Sequence, residues 1–202
     1  MRRRMAKPWS GLLIGSFVVL VIAAPFLAER TSRLYGFVAL MLVAAGILPL
    51  IGRFVRPSWL TVIVIGVVLR AGVFWMGPGL SDDAYRYAWD GIVQAEGDNP
   101  YLVRPEDDQV RRDRRPQLYG RLNSQEYFTV YPPLSQITFV TAATISGKRW
   151  PQTYYAIKLI IILVELLALA ALWRTAEPSV AILYAWNPVV IVEIAGQAHT
   201  EG

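Results

Sequence analysis

Hydrophobic and polar positions fall in long blocks along this chain. Five apolar runs stand out: Gly11–Ala28, Leu34–Ile51, Leu60–Met76, Tyr154–Trp173 and the shorter Val180–Ile194. They approach or match the roughly 18–20 helical residues that carry a chain across a bilayer's hydrocarbon core. The pattern predicts an all-α, multi-span integral membrane protein. Between the third and fourth runs lies the polar stretch Gly77–Pro133. It is far longer than the usual connection of about 4–6 residues, so it is expected to carry helices of its own or a function.

Within that stretch, Ser81 is placed to cap a helix, with Asp82 and Asp83 in a first turn whose dipole favours negative charge. Tyr85, Ala88, Trp89 and Ile92 recur at i, i+3, i+4 and i+7, while Asp83, Arg86, Asp90 and Gln94 share another face. This periodicity predicts an amphipathic helix lying at the membrane surface, ended by Gly97 and turned by Asn99–Pro100. The charged segment Arg104–Arg121 (with RPEDDQVRRDRR) reads as a solvated loop or a short exposed helix. The apolar run Leu134–Ile145 is short: twelve helical residues rise only about 18 Å against a core of about 30 Å. Length favours a re-entrant or juxtamembrane helix; if it does cross, Lys148 and Arg149 lie inside. The expected organisation is therefore three transmembrane helices over 1–76, an external loop with juxtamembrane helices over 77–133, and a short helix plus two transmembrane helices over 134–202.

Composition agrees with a membrane protein, since 54% of residues are apolar and mean hydropathy is +0.38. The net charge of +5 is accounted for in part by Arg2, Arg3, Arg4 and Lys7 before the first run. That is the positive-inside signature of a cytoplasmic N-terminus, and it puts Gly77–Pro133 on the external face. No basic-aromatic surface or DNA-binding motif accompanies the charge, which argues against nucleic acid as a partner. With no cysteine, disulfides and thiolate chemistry are excluded. The basic start and first apolar run could pass for a signal peptide, but the run is long and Pro25 follows the small pair Ala23–Ala24, which favours an uncleaved anchor.

Several groups can carry chemistry. Asp82 and Asp83 could take a proton from a hydroxyl or bind a divalent cation, although capping alone would also explain them. Arg86 and Arg70 could each hold a phosphate bidentately; Arg70, in an apolar run, could equally snorkel. Tyr131 opens YPPL, which also suits a helix start. Glu165 and Lys158 share a helix face seven residues apart and read as a structural pairing. His199, the only histidine, has no metal-ligand spacing around it. The ending AHTEG, with no closing polar tail, reads as a cut rather than a natural C-terminus.

Three segments in order, SDDAYRYAWDGIVQAEGDNPY at 81–101, VYPPLSQ at 130–136 and YAWNPVVIVEIAGQAHTEG at 184–202, resemble the GT-C superfamily of multi-span glycosyltransferases that use polyprenyl-phosphate sugars. The likeness is to bacterial mannosyltransferases of that group and covers about a quarter of the chain. The resemblance implies that the acidic motif of the external loop supplies the catalytic base: Asp83, before the A-Y-R-Y run, with Asp82 as helper. It puts His199 and Glu201 in a second polar cluster at the external face, and together with these Arg86, Tyr87, Asp90, Arg70 and Tyr131 are the expected substrate contacts. It implies a lipid-linked hexose donor, most simply mannose, a glycan or glycolipid acceptor, and a site on the external face of the cell membrane; no metal ligands follow from it. The chain departs from the family in two ways: the acidic motif follows the third apolar run rather than the first, and the chain resembles only an N-terminal portion. The rival expectation is a transporter or flippase-like protein using Asp82, Asp83, Glu165 and Glu193, for which the inverted repeats are not evident. A third is a non-catalytic membrane subunit.

Overall fold

A computed structural model describes residues 8–27 and 34–199. The basic N-terminal cluster, Thr200 and Glu201 lie outside the described residues. Among the described residues the protein is helical throughout, with no strand. In chain order the helices are α1 (Pro8–Leu27), α2 (Leu34–Phe54), α3 (Trp59–Phe74), α4 (Asp83–Ala95), α5 (Gln109–Arg114), α6 (Pro116–Tyr119), α7 (Pro133–Ile145), α8 (Trp150–Thr175) and α9 (Pro178–Ala185). A 3-10 turn at Pro105–Asp107 precedes α5, and a π-helical segment, Val190–Gly196, follows α9. Two compact units result: residues up to Met76 with Ile162–Gly196, and Gly77–Ile161 with the segment from Gln197.

α2, in the first unit, and α8, whose residues up to Ile161 belong to the second unit and the rest to the first, are long and apolar enough to cross a membrane. Their 21 and 26 residues rise about 32 and 39 Å, at or beyond the roughly 30 Å core. The apolar parts of α1 and α3, Trp9–Pro25 and Trp59–Phe74, are shorter. The core is apolar, built on Phe17, Val21, Leu48, Ile51, Val62, Leu69 and Trp186. Helices close up through small residues: a Cβ on Gly52 would sit 2.6 Å from the Ser179 carbonyl oxygen of α9.

The run Val180–Ile194 is not one continuous helix, as its hydropathy suggests. α9 ends at Ala185 and the axis turns by 52° into the π-helical segment. The cause lies in Asn187–Pro188. Proline has no N–H to donate and clashes with the carbonyl four residues back. Asn187 starts the second half instead, its Oδ1 accepting from Val189 N at 3.0 Å. The carbonyl freed by the break is recovered, because Arg70 Nη1 donates to Ala185 O at 3.0 Å. Such side-chain rescue is what allows a broken helix within an apolar layer.

In the second unit α4 lies against α7. The contact is tight at Gly91, where a Cβ would meet the Phe139 carbonyl oxygen at 2.3 Å. The apolar stripe of α4 is buried: Tyr85, Ala88, Trp89, Ile92 and Val93 pack with Leu118, Leu122 and Ala143. The opposite face is buried as well, Arg86 and Asp90 included. A helix resting on a membrane surface, as the periodicity suggests, would leave that face in water; here protein covers it.

The segment Arg104–Arg121 is likewise not simply solvated. Arg111 is buried and bonds three carboxylates, Glu96 at 2.6 Å, Asp98 at 2.6 Å, and Asp108. Arg115 reaches the other oxygen of Glu96 at 2.6 Å. These pairs fasten α5 and α6 to the C-terminal end of α4. Burial works to raise the Glu96 pKa, but hydrogen bonds and charge from Arg115 and Arg111 outweigh it and hold the carboxyl below its ordinary value.

Candidate functional site in the second unit

α4 carries four of the expected site residues, Asp83, Arg86, Tyr87 and Asp90, with Asp82 just before it, and sets their spacing. Asp82 occupies the N-cap position without a side-chain capping bond. Ser81 closes the turn instead: its Oγ accepts from Asp83 N at 3.2 Å and donates to Asp83 Oδ2 at 3.0 Å. Asn123 Nδ2 donates to the other oxygen, Oδ1, at 3.4 Å. Asp83 is thus oriented from both sides yet remains half-exposed.

One turn on, Arg86 is almost fully buried. Its Nε donates to Asp90 Oδ1 at 2.7 Å, and its Nη1 donates to Ser124 O at 2.8 Å and Ser124 Oγ at 3.1 Å. Its Nη2 is buried with no hydrogen-bond partner among the described residues. A buried donor left unpaired costs about 1–3 kcal/mol, so a ligand oxygen there would be stabilised.

Asp90 is sealed from solvent at 0% exposure. Burial pushes its carboxyl above the ordinary range, against the pull of Arg86 and of hydrogen bonds from Thr129 and Gln136. Gln136 Nε2 bridges Asp90 Oδ2 at 3.2 Å and Thr129 Oγ1 at 2.8 Å. Gln94 Nε2 donates to Gln136 Oε1 at 2.5 Å. Asp90 therefore holds Arg86 in place and ties α4 to α7.

Tyr87 gathers the remaining residues. Its ring stacks on Phe139 at 4.6 Å and meets Tyr131 edge-on at 4.8 Å and His199 edge-on at 6.5 Å. The Tyr131 carbonyl accepts from Tyr101 Oη at 2.5 Å. The segment before His199 is tied down by Gln197, whose Oε1 accepts from Leu80 N at 3.1 Å and whose Nε2 donates to Gly77 O at 3.2 Å. Ala198 between them holds a φ of 66°, a left-handed conformation unusual for a residue with a Cβ. Asp83 and Tyr87 are one helical turn apart, so Asp82, Asp83, Arg86, Tyr87, Asp90, Tyr131 and His199 all belong to one neighbourhood.

Arg70 belongs to the first unit. It is 1% exposed and bonds Glu165 through both oxygens, Nε to Oε2 at 3.2 Å and Nη2 to Oε1 at 3.0 Å. Its Nη1 bonds Gly66 O and Ala185 O. The partner of Glu165 is thus Arg70 and not Lys158, whose ammonium lies 5.2 Å from the Tyr154 ring centre. Arg70 neither snorkels nor offers a free fork for a phosphate. Glu201 lies outside the described residues. Among the described residues no three His, Cys, Asp or Glu side chains converge as a metal site would require.

Gln136, Thr129, Ser124 and Asn123 complete the site without having been singled out from the sequence. Gln136 had a visible signal: it closes VYPPLSQ, at the position that faces inward one turn after the proline start. Comparison with protein-family models, curated proteins and solved structures finds no match to this chain. Among the described residues, the protein is all-helical, with two helices long and apolar enough to cross a membrane, or three spans if the bent pair Pro178–Ala185 and Val190–Gly196 counts as one.

Proposed function

We propose that the chain forms part of a membrane glycosyltransferase acting on a polyprenyl-phosphate-linked hexose. One observation carries this reading. Asp83 is a half-exposed carboxylate, aimed by Ser81 and Asn123, one turn from a buried arginine with an unpaired N–H. Asp83 takes the proton of an acceptor hydroxyl as that oxygen bonds to the anomeric carbon. The bond from that carbon to the phosphate oxygen breaks, and polyprenyl phosphate leaves with the electron pair. A single displacement inverts the anomeric centre. Since Arg70 is engaged by Glu165, the phosphate falls to Arg86, whose Nη2 supplies the charge-assisted hydrogen bond. Tyr87, buried against Phe139 and Tyr131, positions the half-buried His199 beside the sugar, and Asp82 assists Asp83. The resemblance of the three sequence blocks favours mannose as the sugar and a glycan or glycolipid as acceptor. It also favours a site on the external face of the cell membrane. Membranes containing the full chain, supplied with radiolabelled polyprenyl-phosphate mannose, provide the test. Transfer should fall roughly 10²–10⁴-fold in Asp83→Asn; undiminished transfer removes the base.

A second reading has one observation in its favour. The α9 break, with Glu193 in the π-helical segment after a 52° turn, is the kind of discontinuous helix that transporters use to bind ions or substrates. That reading requires Glu193→Gln to abolish substrate uptake into proteoliposomes while Asp83→Asn leaves it intact.

A further inference from the structure

A second polar feature lies in the same unit as the Asp83 site but involves none of its residues. α5 and α6 face the loop between α7 and α8 across a pocket of about 560 Å³, walled by Arg114, Arg115, Lys148, Arg149 and Trp150 among others. That volume is within the range of small-ligand sites, about 300–1,000 Å³. Four of the lining residues are cations, and among the described residues none of the lining is acidic. Arg115 is half-occupied: Nη2 bonds Glu96 at 2.6 Å, while Nη1 is buried without a hydrogen-bond partner among the described residues. Arg114, Lys148 and Arg149 make no ion pair among the described residues, unlike Arg104 and Arg111, which are met by carboxylates nearby. Concentrating like charge around a cavity is unfavourable unless an anion enters it.

The position of the pocket along the chain indicates which anion. Lys148, Arg149 and Trp150 lead directly into α8, a helix of 26 residues that is apolar enough to cross a membrane. With α8 in a bilayer, the residues at its start sit at headgroup depth, where tryptophan is enriched and lysine and arginine attract anionic lipids. We propose that this pocket binds the phosphate of an anionic phospholipid headgroup, held by Arg114, Lys148, Arg149 and the free Nη1 of Arg115. The bound lipid anchors α5 and α6 to the start of α8.

The test uses the full purified chain in neutral detergent, titrated with dihexanoyl phosphatidylglycerol and followed by native mass spectrometry. Lys148 holds a φ of 62°, so Lys148→Gly removes the charge without straining the loop. Lys148→Gly/Arg149→Gln should bind roughly ten- to thirtyfold more weakly, and exposed Arg114→Gln should weaken binding in the same direction. Arg104→Gln/Arg112→Gln, which removes as much charge outside the pocket, should bind like the wild type, and so should Asp83→Asn, which separates this site from the proposed catalysis. Equal affinity in the pocket variants, or equal binding of zwitterionic dihexanoyl phosphatidylcholine, overturns the site. Inorganic pyrophosphate binding as tightly as the lipid overturns the lipid assignment.

Discussion

The Arg86–Asp90 pair can be broken in two ways that should differ in outcome. Both side chains are almost wholly buried, and Asp90 also accepts from Gln136. Asp90→Ala leaves the Arg86 charge buried without its counterion, which costs about 3–5 kcal/mol. It also strips the Gln136 amide of one acceptor, for about 1 kcal/mol more. The sum, about 4–6 kcal/mol, is a large share of a typical stability of 5–15 kcal/mol. For a chain of this length it corresponds to a melting point lower by roughly 10–20 °C. Adding Arg86→Leu removes the stranded charge. What remains is the unpaired Ser124 carbonyl and the Gln136 amide, together about 2 kcal/mol. The double variant should therefore melt above Asp90→Ala, by about 2–4 kcal/mol of recovered stability. Thermal loss of helical circular dichroism in detergent measures this for wild type, both single variants and the double. If Arg86→Leu lowers the melting point of Asp90→Ala as much as it lowers that of the wild type, the two residues are not coupled and the reasoning fails.

Other consequences follow from local geometry. Gly91→Ala should cost about 1–3 kcal/mol, because its methyl would meet the Phe139 backbone and not a side chain that can turn away. Since α4 must then shift on α7, donor-sugar transfer should fall with it, which the radiolabel assay reads. The depressed Glu96 carboxyl binds protons more weakly folded than unfolded. Its contribution is therefore present above the ordinary Glu pKa of about 4.3 and is lost as pH falls through the folded value. Melting points measured from pH 6 down to pH 3 should fall less steeply in Glu96→Gln than in the wild type.

The apolar runs show how much of the fold the sequence exposes. α2 and α8 lie in long apolar blocks, the second broken only by Lys158 and Glu165, and their apolar character alone finds them. The break after α9 was written in Asn187–Pro188, but average hydropathy carries no record of a missing N–H, so the run read as continuous. The stripe Tyr85–Ala88–Trp89–Ile92 identified α4 correctly as a helix with an apolar face. It could not reveal that Arg86 and Asp90 opposite would also be covered. Their covering partners come from far along the chain: Gln136 lies 46 residues from Asp90 and Ser124 lies 38 from Arg86. The same holds for Arg111, whose carboxylate partners Glu96 and Asp98 stand 15 and 13 residues back. A dense charge run looks solvated until those partners are placed. Spacing within α4 did bring Asp83, Arg86 and Asp90 onto one side, because i, i+3 and i+4 neighbours are fixed by helix geometry. Arg70 and Glu165 lie 95 residues apart, and no local pattern links them.

We propose Asp83 as the base of a sugar-transfer reaction. Membranes carrying the wild type, Asp83→Asn, Asp83→Glu and Asp82→Asn, each given radiolabelled polyprenyl-phosphate mannose, test it most directly. Asp83→Asn should lose transfer by roughly 10²–10⁴-fold, since the amide keeps the shape but cannot accept the proton. Asp83→Glu should retain part of the activity, and Asp82→Asn should keep more of it than Asp83→Asn. Transfer by Asp83→Asn at the wild-type rate would contradict the assignment, as would a wild-type protein that transfers no sugar.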